Sequence, residues 1–395
     1  MSAITITPST AIGVLGAGTM GSGIAQVAAT AGHPVVLCDS NAEVLARAKS
    51  ALEKVHARLV EKGKIDQATC DAILGRIRTS SDTEALTDSG VVIEAIIENL
   101  GIKQSVFASL EEILGNDAIL ATNTSSLAIT AIAGACRKPE RVVGMHFFNP
   151  AALMPLVEIV PGVATSAAVT AATKDLATAW KKVPVLAQDT PGFIVNRVAR
   201  PFYGEAIRIL EEGIADAATI DHAMREVGGF RMGPFELMDL IGNDINLTVT
   251  ESVFEAFFYD PRFKPSFTQK RLVQAGRLGR KSGHGYFSYA EGAPKPEPDT
   301  DPARLQAIVD RILAMLINEA ADAVFLRVAT PTDVDLAMTK GVNYPKGLLA
   351  WADELGPPTI LARLEALQAE YGEDRYRPNP LLRRVVREGR KFHSA

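Results

Sequence analysis

Short apolar runs punctuate the first part of the chain, at residues 12–15, 35–38, 91–93, 118–121, 142–145, 156–160 and 183–186. Several are apolar throughout and rich in β-branched residues, the pattern of strands covered on both faces. Helical stretches separate them, which predicts an α/β fold with a Rossmann-type doubly wound parallel sheet. Between the second and third runs lies a long polar insert, residues 41–78, broken by Gly63 in the manner of a helix C-cap. It predicts a projecting pair of helices.

After Thr190-Pro191-Gly192 the period changes. Ile194, Val198, Ile207, Ile209 and Leu210 form a helical stripe, and Pro201 inside it predicts a kink. Residues 290–303 hold Pro294, Pro296, Pro298 and Pro302 among acidic spacers, a composition suited to an extended linker. The closing segment repeats the helical block at an offset of 114 residues. Ile194, Val195, Arg197, Glu205, Ala206, Ala215, Asp221, Ala223, Met224, Gly233, Asp239 and Gly242 recur as Ile308, Val309, Arg311, Glu319, Ala320, Ala329, Asp335, Ala337, Met338, Gly347, Asp353 and Gly356. Chance composition gives roughly three or four such identities. After a one-residue slip Arg262, Lys264 and Pro265 meet Arg375, Arg377 and Pro378. The expected organisation is therefore an α/β domain over 1–190 and two tandem, homologous all-α domains over 191–290 and 303–395.

Composition narrows the function. With 395 residues, 47% of them hydrophobic, the chain can build cores of this number. The net charge of −5 gives no overall basic field for nucleic acid or anionic lipid. No apolar run reaches the 18 or so residues of a membrane span, and no Lys or Arg precedes Arg47 as a signal peptide would require. A cytoplasmic protein is expected. Cys38, Cys70 and Cys136 are widely spaced, so neither a disulfide framework nor a thiolate metal site is indicated.

Gly16-Ala17-Gly18-Thr19-Met20-Gly21 follows the first strand and opens an apolar helix. Gly16 permits a tight turn, Gly18 lets the backbone approach a pyrophosphate, and Gly21 lets helix and strand pack closely. The amides of Thr19 and Met20 at the helix start favour phosphate. Asp39 ends the next strand, where a carboxylate accepts from ribose hydroxyls and repels a 2′-phosphate, which favours NAD over NADP. A turn needed only for packing, or another nucleotide such as a flavin, are the competing readings. His146 ends a predicted strand at the carboxyl edge where open α/β sheets bind ligands, and Glu158 interrupts the next apolar strand. A histidine suits the removal of a hydroxyl proton, and a carboxylate partner would fix its tautomer. A satisfied structural histidine is the competing reading. Ser125, by its own sequence, fits a cap or turn.

The blocks GAGTMGSGIA, VIEAIIENLGIK, ATNTSSL, GMHFFNP, LVEIV, DTPGFIVNR, MGPFELMDLIG and GRKSGHGYF together resemble the 3-hydroxyacyl-CoA dehydrogenase family over essentially the whole chain. The duplicated helical domain and the ending GVNYPKGLLAWADELG are most similar to its bacterial subgroup associated with phenylacetate breakdown, whose substrate is 3-hydroxyadipyl-CoA. The resemblance implies an NAD-dependent dehydrogenase of L-3-hydroxyacyl-CoA thioesters. It makes His146 and Glu158 the catalytic dyad, has Ser125 bond the reacting oxygen, and gives Asn196 a hold on the substrate oxygens. Glu98, Lys103 and Asn149 match positions around the nicotinamide ribose, although Glu98 and Lys103 also read as ordinary helix charges. Lys54, Arg58, Lys62 and Lys64 in the helical insert are candidates for the CoA phosphates, against the bland reading of a wet face. Glu94 has no assigned role.

Two departures stand out. Arg231 replaces a proline the second copy keeps at Pro345 and is a candidate for the distal carboxylate of an adipyl tail, or a surface arginine. Pro155 replaces a lysine common in the family. The second copy has Asp310 at the Asn196 position and no dinucleotide domain before it, so it is expected to be non-catalytic. It would occupy a partner's place, giving a monomer with an internal pseudo-dimer or an oligomer through another surface. An NAD-binding structural or sensing protein without turnover is the rival reading.

Overall fold

Eight strands form one sheet: β1 Ile12–Leu15, β2 Val35–Cys38, β3 Ile77–Ser80, β4 Val91–Glu94, β5 Ile119–Thr122, β6 Val142–Phe147, β7 Leu156–Pro161 and β8 Val183–Leu186. Their order is β3-β2-β1-β4-β5-β6-β7-β8. The computed structural model describes residues 4–294 and 296–393. They divide between Phe193 and Ile194 into two compact units, the sheet belonging to the first.

Strands β1, β2, β4 and β5 are buried along their whole length, as their uniform apolar patterns require. The sheet corrects the sequence reading twice. Strand β3 was not expected; it pairs parallel to β2 at the sheet edge, and its Ile-Arg-Thr-Ser pattern is too polar to register as a covered strand. The sheet is also not wholly parallel, because β7 runs antiparallel to β6. The 148–155 connection is shorter than the dozen or so residues a parallel crossover needs.

Helix α1 Thr19–Thr30 follows β1, and its Ile24, Ala25 and Ala28 pack into the sheet core. Helices α2 Ala42–Glu61 and α3 Gln67–Gly75 form the expected pair, capped by Asn41 and Asp66 and divided at Gly63, whose φ is +62°. Helices α4 Leu100–Ile113, α5 Ile129–Ala133 and α6 Ala167–Ala179 complete the unit.

The second unit is helical. The predicted kink is a full break, since α7 Val195–Val198 ends at Ala199 and α8 Arg200–Glu211 begins with Pro201 in its first turn. There follow α9 Ala217–His222 with a π-helical turn at Ala223–Val227, α10 Pro234–Ile241, α11 Asn243–Ala256 and α12 Phe267–Gln274. The described linker residues carry no regular structure before α13 Pro302–Phe325, which is followed by α14 Pro331–Gly341, α15 Leu348–Leu355, α16 Pro357–Tyr371 and α17 Pro380–Arg387. The repeat is visible in space: α15 begins and ends 114 residues after α10, and α17 113 residues after α12. Asp221 caps the start of α10 through the Phe235 and Glu236 amides, and Asp335 caps α15 through those of Leu349 and Ala350. Where the first copy breaks at Pro201 the second has Met315, and α13 runs on unbroken. The two copies, expected as separate domains, belong to one compact unit.

Candidate active site

Parallel pairing aligns the carboxyl ends of three strands: Leu15 lies opposite Cys38 and Glu94. The loops that follow therefore converge. The Gly16 amide donates to Cys38 O (2.7 Å) and the Ala95 amide to Leu15 O (2.7 Å). Gly16 has φ +101°, and a Cβ there would strike the Ala95 carbonyl oxygen at 2.5 Å. A Cβ on Gly21 would enter the Gly16 carbonyl, whereas one on Gly18 would meet nothing within 4 Å. Gly18 is thus the point in the loop with room for a ligand. Asp39 accepts from the Ala17 amide (2.8 Å) and the Asn41 amide (2.9 Å), which fixes its carboxylate against the glycine turn. Gly16, Gly18, Asp39, Ala95 and Ile96 line a cleft of about 690 Å³ where strand order reverses between β1 and β4, the usual ligand position in such sheets. Thr19 is exposed and Met20 half-buried at the start of α1, which has no side-chain cap of its own. The open space at Gly18 and the fixed Asp39 suit a dinucleotide carrying a free ribose diol.

Glu94 anchors the far wall of this edge. Fully buried at the end of β4, it accepts from the Ile96 amide (2.7 Å), Lys103 Nζ (2.5 Å) and Thr122 Oγ1 (2.7 Å). Lys103 is 1% exposed, so the reading of it as a solvated helix charge fails. Its ammonium also lies 3.3 Å from Glu98. Glu98 in turn accepts from the Thr124 hydroxyl, the Ser125 amide (3.0 Å) and the Ser126 amide (3.2 Å) and hydroxyl (2.9 Å). Burial alone would raise its pKa, but the Thr124 and Ser126 bonds and the Lys103 charge outweigh it and hold it below the ordinary glutamate value. The loop bearing Ser125 is thereby fastened at the carboxyl end of β5.

Asn123 in the same loop accepts from the Phe147 amide (2.8 Å), tying it to β6. His146 and Glu158 are direct cross-strand partners of β6 and β7. His146 Nδ1 lies 2.6 Å from Glu158 Oε2, with side chains 7% and 0% exposed. Phe148 and Phe193 pack on the imidazole at centroid distances of 4.5 and 5.8 Å. The antiparallel turn that the sequence reading missed is what brings residues twelve apart into register. With Nδ1 engaged, Nε2 is the ring nitrogen left for proton transfer.

Residues 11–190 match the family model for the 3-hydroxyacyl-CoA dehydrogenase NAD binding domain, and residues 192–289 and 308–394 that for the 3-hydroxyacyl-CoA dehydrogenase C-terminal domain. The chain belongs to the 3-hydroxyacyl-CoA dehydrogenase family. It is 42% identical to the 3-hydroxyadipyl-CoA dehydrogenase of Escherichia coli K12, over 94% of this chain and 96% of that one. It is 43% identical to a probable 3-hydroxybutyryl-CoA dehydrogenase of Deinococcus radiodurans, over 70% of this chain and 99% of the relative. A crystal structure of 3-hydroxybutyryl-CoA dehydrogenase from Escherichia coli K12 covers 96% of this chain at a TM-score of 0.92 and 40% identity. The chain is thus an NAD-binding oxidoreductase.

The other dehydrogenase positions fall as follows. Asn149 is exposed just beyond β6. Lys54, Arg58 and Lys62 follow one another at four-residue spacing along and just past α2; with Lys64 they are exposed, and none forms an ion pair among the described residues. At the edge where Pro155 stands, buried Lys182 donates to Ala151 O (2.5 Å) and Met154 O (2.8 Å). In the second unit Asn196 is half-buried on α7, and Arg231 is exposed between α9 and α10. Asp310, the counterpart of Asn196, pairs with Arg363 at 2.8 Å. No group of His, Cys, Asp and Glu among the described residues could hold a metal.

Proposed function

We propose that the protein oxidises L-3-hydroxyacyl-CoA thioesters to 3-oxoacyl-CoA with NAD. The observation that carries this reading is the 2.6 Å contact between His146 and Glu158 at the carboxyl edge of an NAD-binding sheet. His146 Nε2 takes the proton of the substrate hydroxyl while Glu158 holds the tautomer and stabilises the imidazolium that forms. NAD, held by the glycine loop at residues 16–21 and by Asp39, would supply the acceptor for the hydride leaving C3. Ser125 and Asn196 hold the reacting oxygen, and Lys103, through Glu98, holds the Ser125 loop. Asp39 bonds the adenosine ribose, and Asn149 lies toward the nicotinamide end. Lys54, Arg58 and Lys62 meet the CoA phosphates, for which three exposed cations in a row, without an ion pair among the described residues, are suited.

The relative named for 3-hydroxyadipyl-CoA supports a dicarboxylic acyl chain as substrate, with 3-hydroxybutyryl-CoA as the alternative. The setting we infer is the cytoplasm, in keeping with three free cysteines and no described helix long and apolar enough to cross a membrane. The test is direct. Acetoacetyl-CoA should oxidise NADH, read by loss of its near-ultraviolet absorbance, and His146→Gln should abolish the signal. NAD binding without turnover in the wild type would instead identify a structural or sensing protein.

A further inference from the structure

The two helical copies share a fold but differ in the polarity of one interior cluster. In the first copy Arg200, Tyr203, Asn246 and Gln269 are buried together with the half-buried Thr250 beside them, and Gln269 donates to Asn246 at 2.8 Å. At the corresponding positions the second copy has Ala314, Ile317, Ile360, Leu364 and Leu382, every one fully buried. The fold therefore does not need these polar groups. A hydrocarbon core serves it as well, and burying an uncompensated charge is costly.

Arg200 is the costly member. It is 9% exposed, yet no carboxylate lies within ion-pair distance of it among the described residues. Its one hydrogen bond is to Thr250 Oγ1 at 3.2 Å; Nε has no partner, and the guanidinium stacks over Tyr203 at 5.0 Å. Burial depresses its pKa. The buried hydroxyl of Tyr344 also lacks a partner. Arg200, Tyr203, Thr250 and Gln269 line a cavity of about 130 Å³, room for a few waters or one small carboxylate; Glu205 and Glu211 share its wall but are outnumbered there by Arg200, Arg208, Arg262 and Lys264.

We propose that Arg200 receives the distal carboxylate of a dicarboxylic acyl chain and so selects the substrate. This rests on the dehydrogenase reading above, in which Asn196 holds the reacting oxygen. Arg200 follows Asn196 by only four residues, across the junction of α7 and α8, which keeps the two side chains within reach of one short diacid chain. A planar guanidinium with free donors matches a carboxylate and nothing at an alkyl terminus. Arg231, exposed in its loop, offers no comparable desolvated site.

The experiment compares 3-hydroxyadipyl-CoA with 3-hydroxyhexanoyl-CoA in wild type, Arg200→Met, Thr250→Val and Arg231→Pro, by kcat/KM and by calorimetric binding of each thioester without NAD. The expected result is a preference for the adipyl chain that falls about 10- to 100-fold in Arg200→Met, falls less in Thr250→Val and persists in Arg231→Pro. The hexanoyl values should stay level or rise, which a merely structural arginine would not produce. Equal losses on both thioesters, or a ratio unchanged by Arg200→Met with the fold intact by circular dichroism, would overturn the proposal. Absence of wild-type turnover would refute the dehydrogenase reading instead, and the binding ratio would still decide the role of Arg200.

Discussion

The Arg197 guanidinium, 1% exposed on α7 of the first helical copy, donates to Glu319 of the second at 2.7 Å. The relation is reciprocal: Arg311, the counterpart of Arg197, donates to Glu205, the counterpart of Glu319, at 3.0 Å. Arg262 reaches Glu319 at 3.2 Å, as its own counterpart Arg375 approaches Glu205 at 3.8 Å. Residue i meeting j while j′ meets i′ is the signature of a two-fold, isologous interface. Here both halves lie in one chain.

We propose that this internal interface stands in for one between two subunits. We expect a monomer of 42.2 kDa in light scattering. A dimer held through the helical domain that carries Asn196 would show that the last helices do not stand in for a partner.

Glu319 neutralises two buried or half-buried guanidinium groups, and Glu319→Ala removes one charged hydrogen bond from each. The expected loss is about 1.5–3 kcal/mol in chemical denaturation. A loss below about 1 kcal/mol would mean that Asp322, which also meets Arg197 and Arg262, carries the pairing alone.

For the dyad, His146→Gln should lower kcat by about 10²–10⁴ with little change in the midpoint of unfolding. Glu158→Gln should also reduce kcat and shift its pH profile, because an amide cannot stabilise the imidazolium. Near wild-type kcat in His146→Gln would remove His146 from the mechanism.

Much of this arrangement could be read from the residues. Strands covered on both faces are apolar throughout and identified themselves, while β3 did not, because an edge strand keeps Arg78 and Thr79 exposed. An apolar run carries no direction, so the reversal of β7 was hidden although the 148–155 connection was too short for the alternative. Pro201 announced a break because it cannot donate to a helix. For Lys103 the competing reading of a solvated charge fails: helical period gives a face but not a depth, and its partner Glu94 sits on a different element. Arg200 was passed over too. The signal was present in the repeat, as polar residues facing Ala314, Ile317 and Leu364, but only the structure shows that they cluster.

Glu98 gives a pH signature. Its folded pKa lies below the ordinary value of 4.5, so its stabilising contribution is complete above that value and is lost as pH falls through the lowered one. The stability difference between wild type and Glu98→Gln should be constant from about pH 8 to 5 and shrink in more acid solution. A gap that widens on acidification would contradict the pairing with Lys103, Thr124 and Ser126.

The glycine loop separates binding from folding. Gly18 has φ −66° and ψ −171°, which any residue adopts, and occupies the cap position of α1 with open space where a Cβ would go. Aspartate is a favourable cap, so Gly18→Asp should leave stability unchanged or raise it by a few tenths of a kcal/mol. Its side chain would nevertheless fill the approach to the pyrophosphate and repel it, and NAD affinity should drop more than about tenfold. Gly21→Ala presents the opposite case. Its methyl group would enter the Gly16 carbonyl, part of a turn held by the Gly16 amide's bond to Cys38 O, so the loss should appear as about 1–3 kcal/mol of stability. Calorimetric NAD titration and thermal unfolding of the two variants check the pair. If Gly18→Asp bound NAD as tightly as wild type, the cofactor would not approach the loop at that residue.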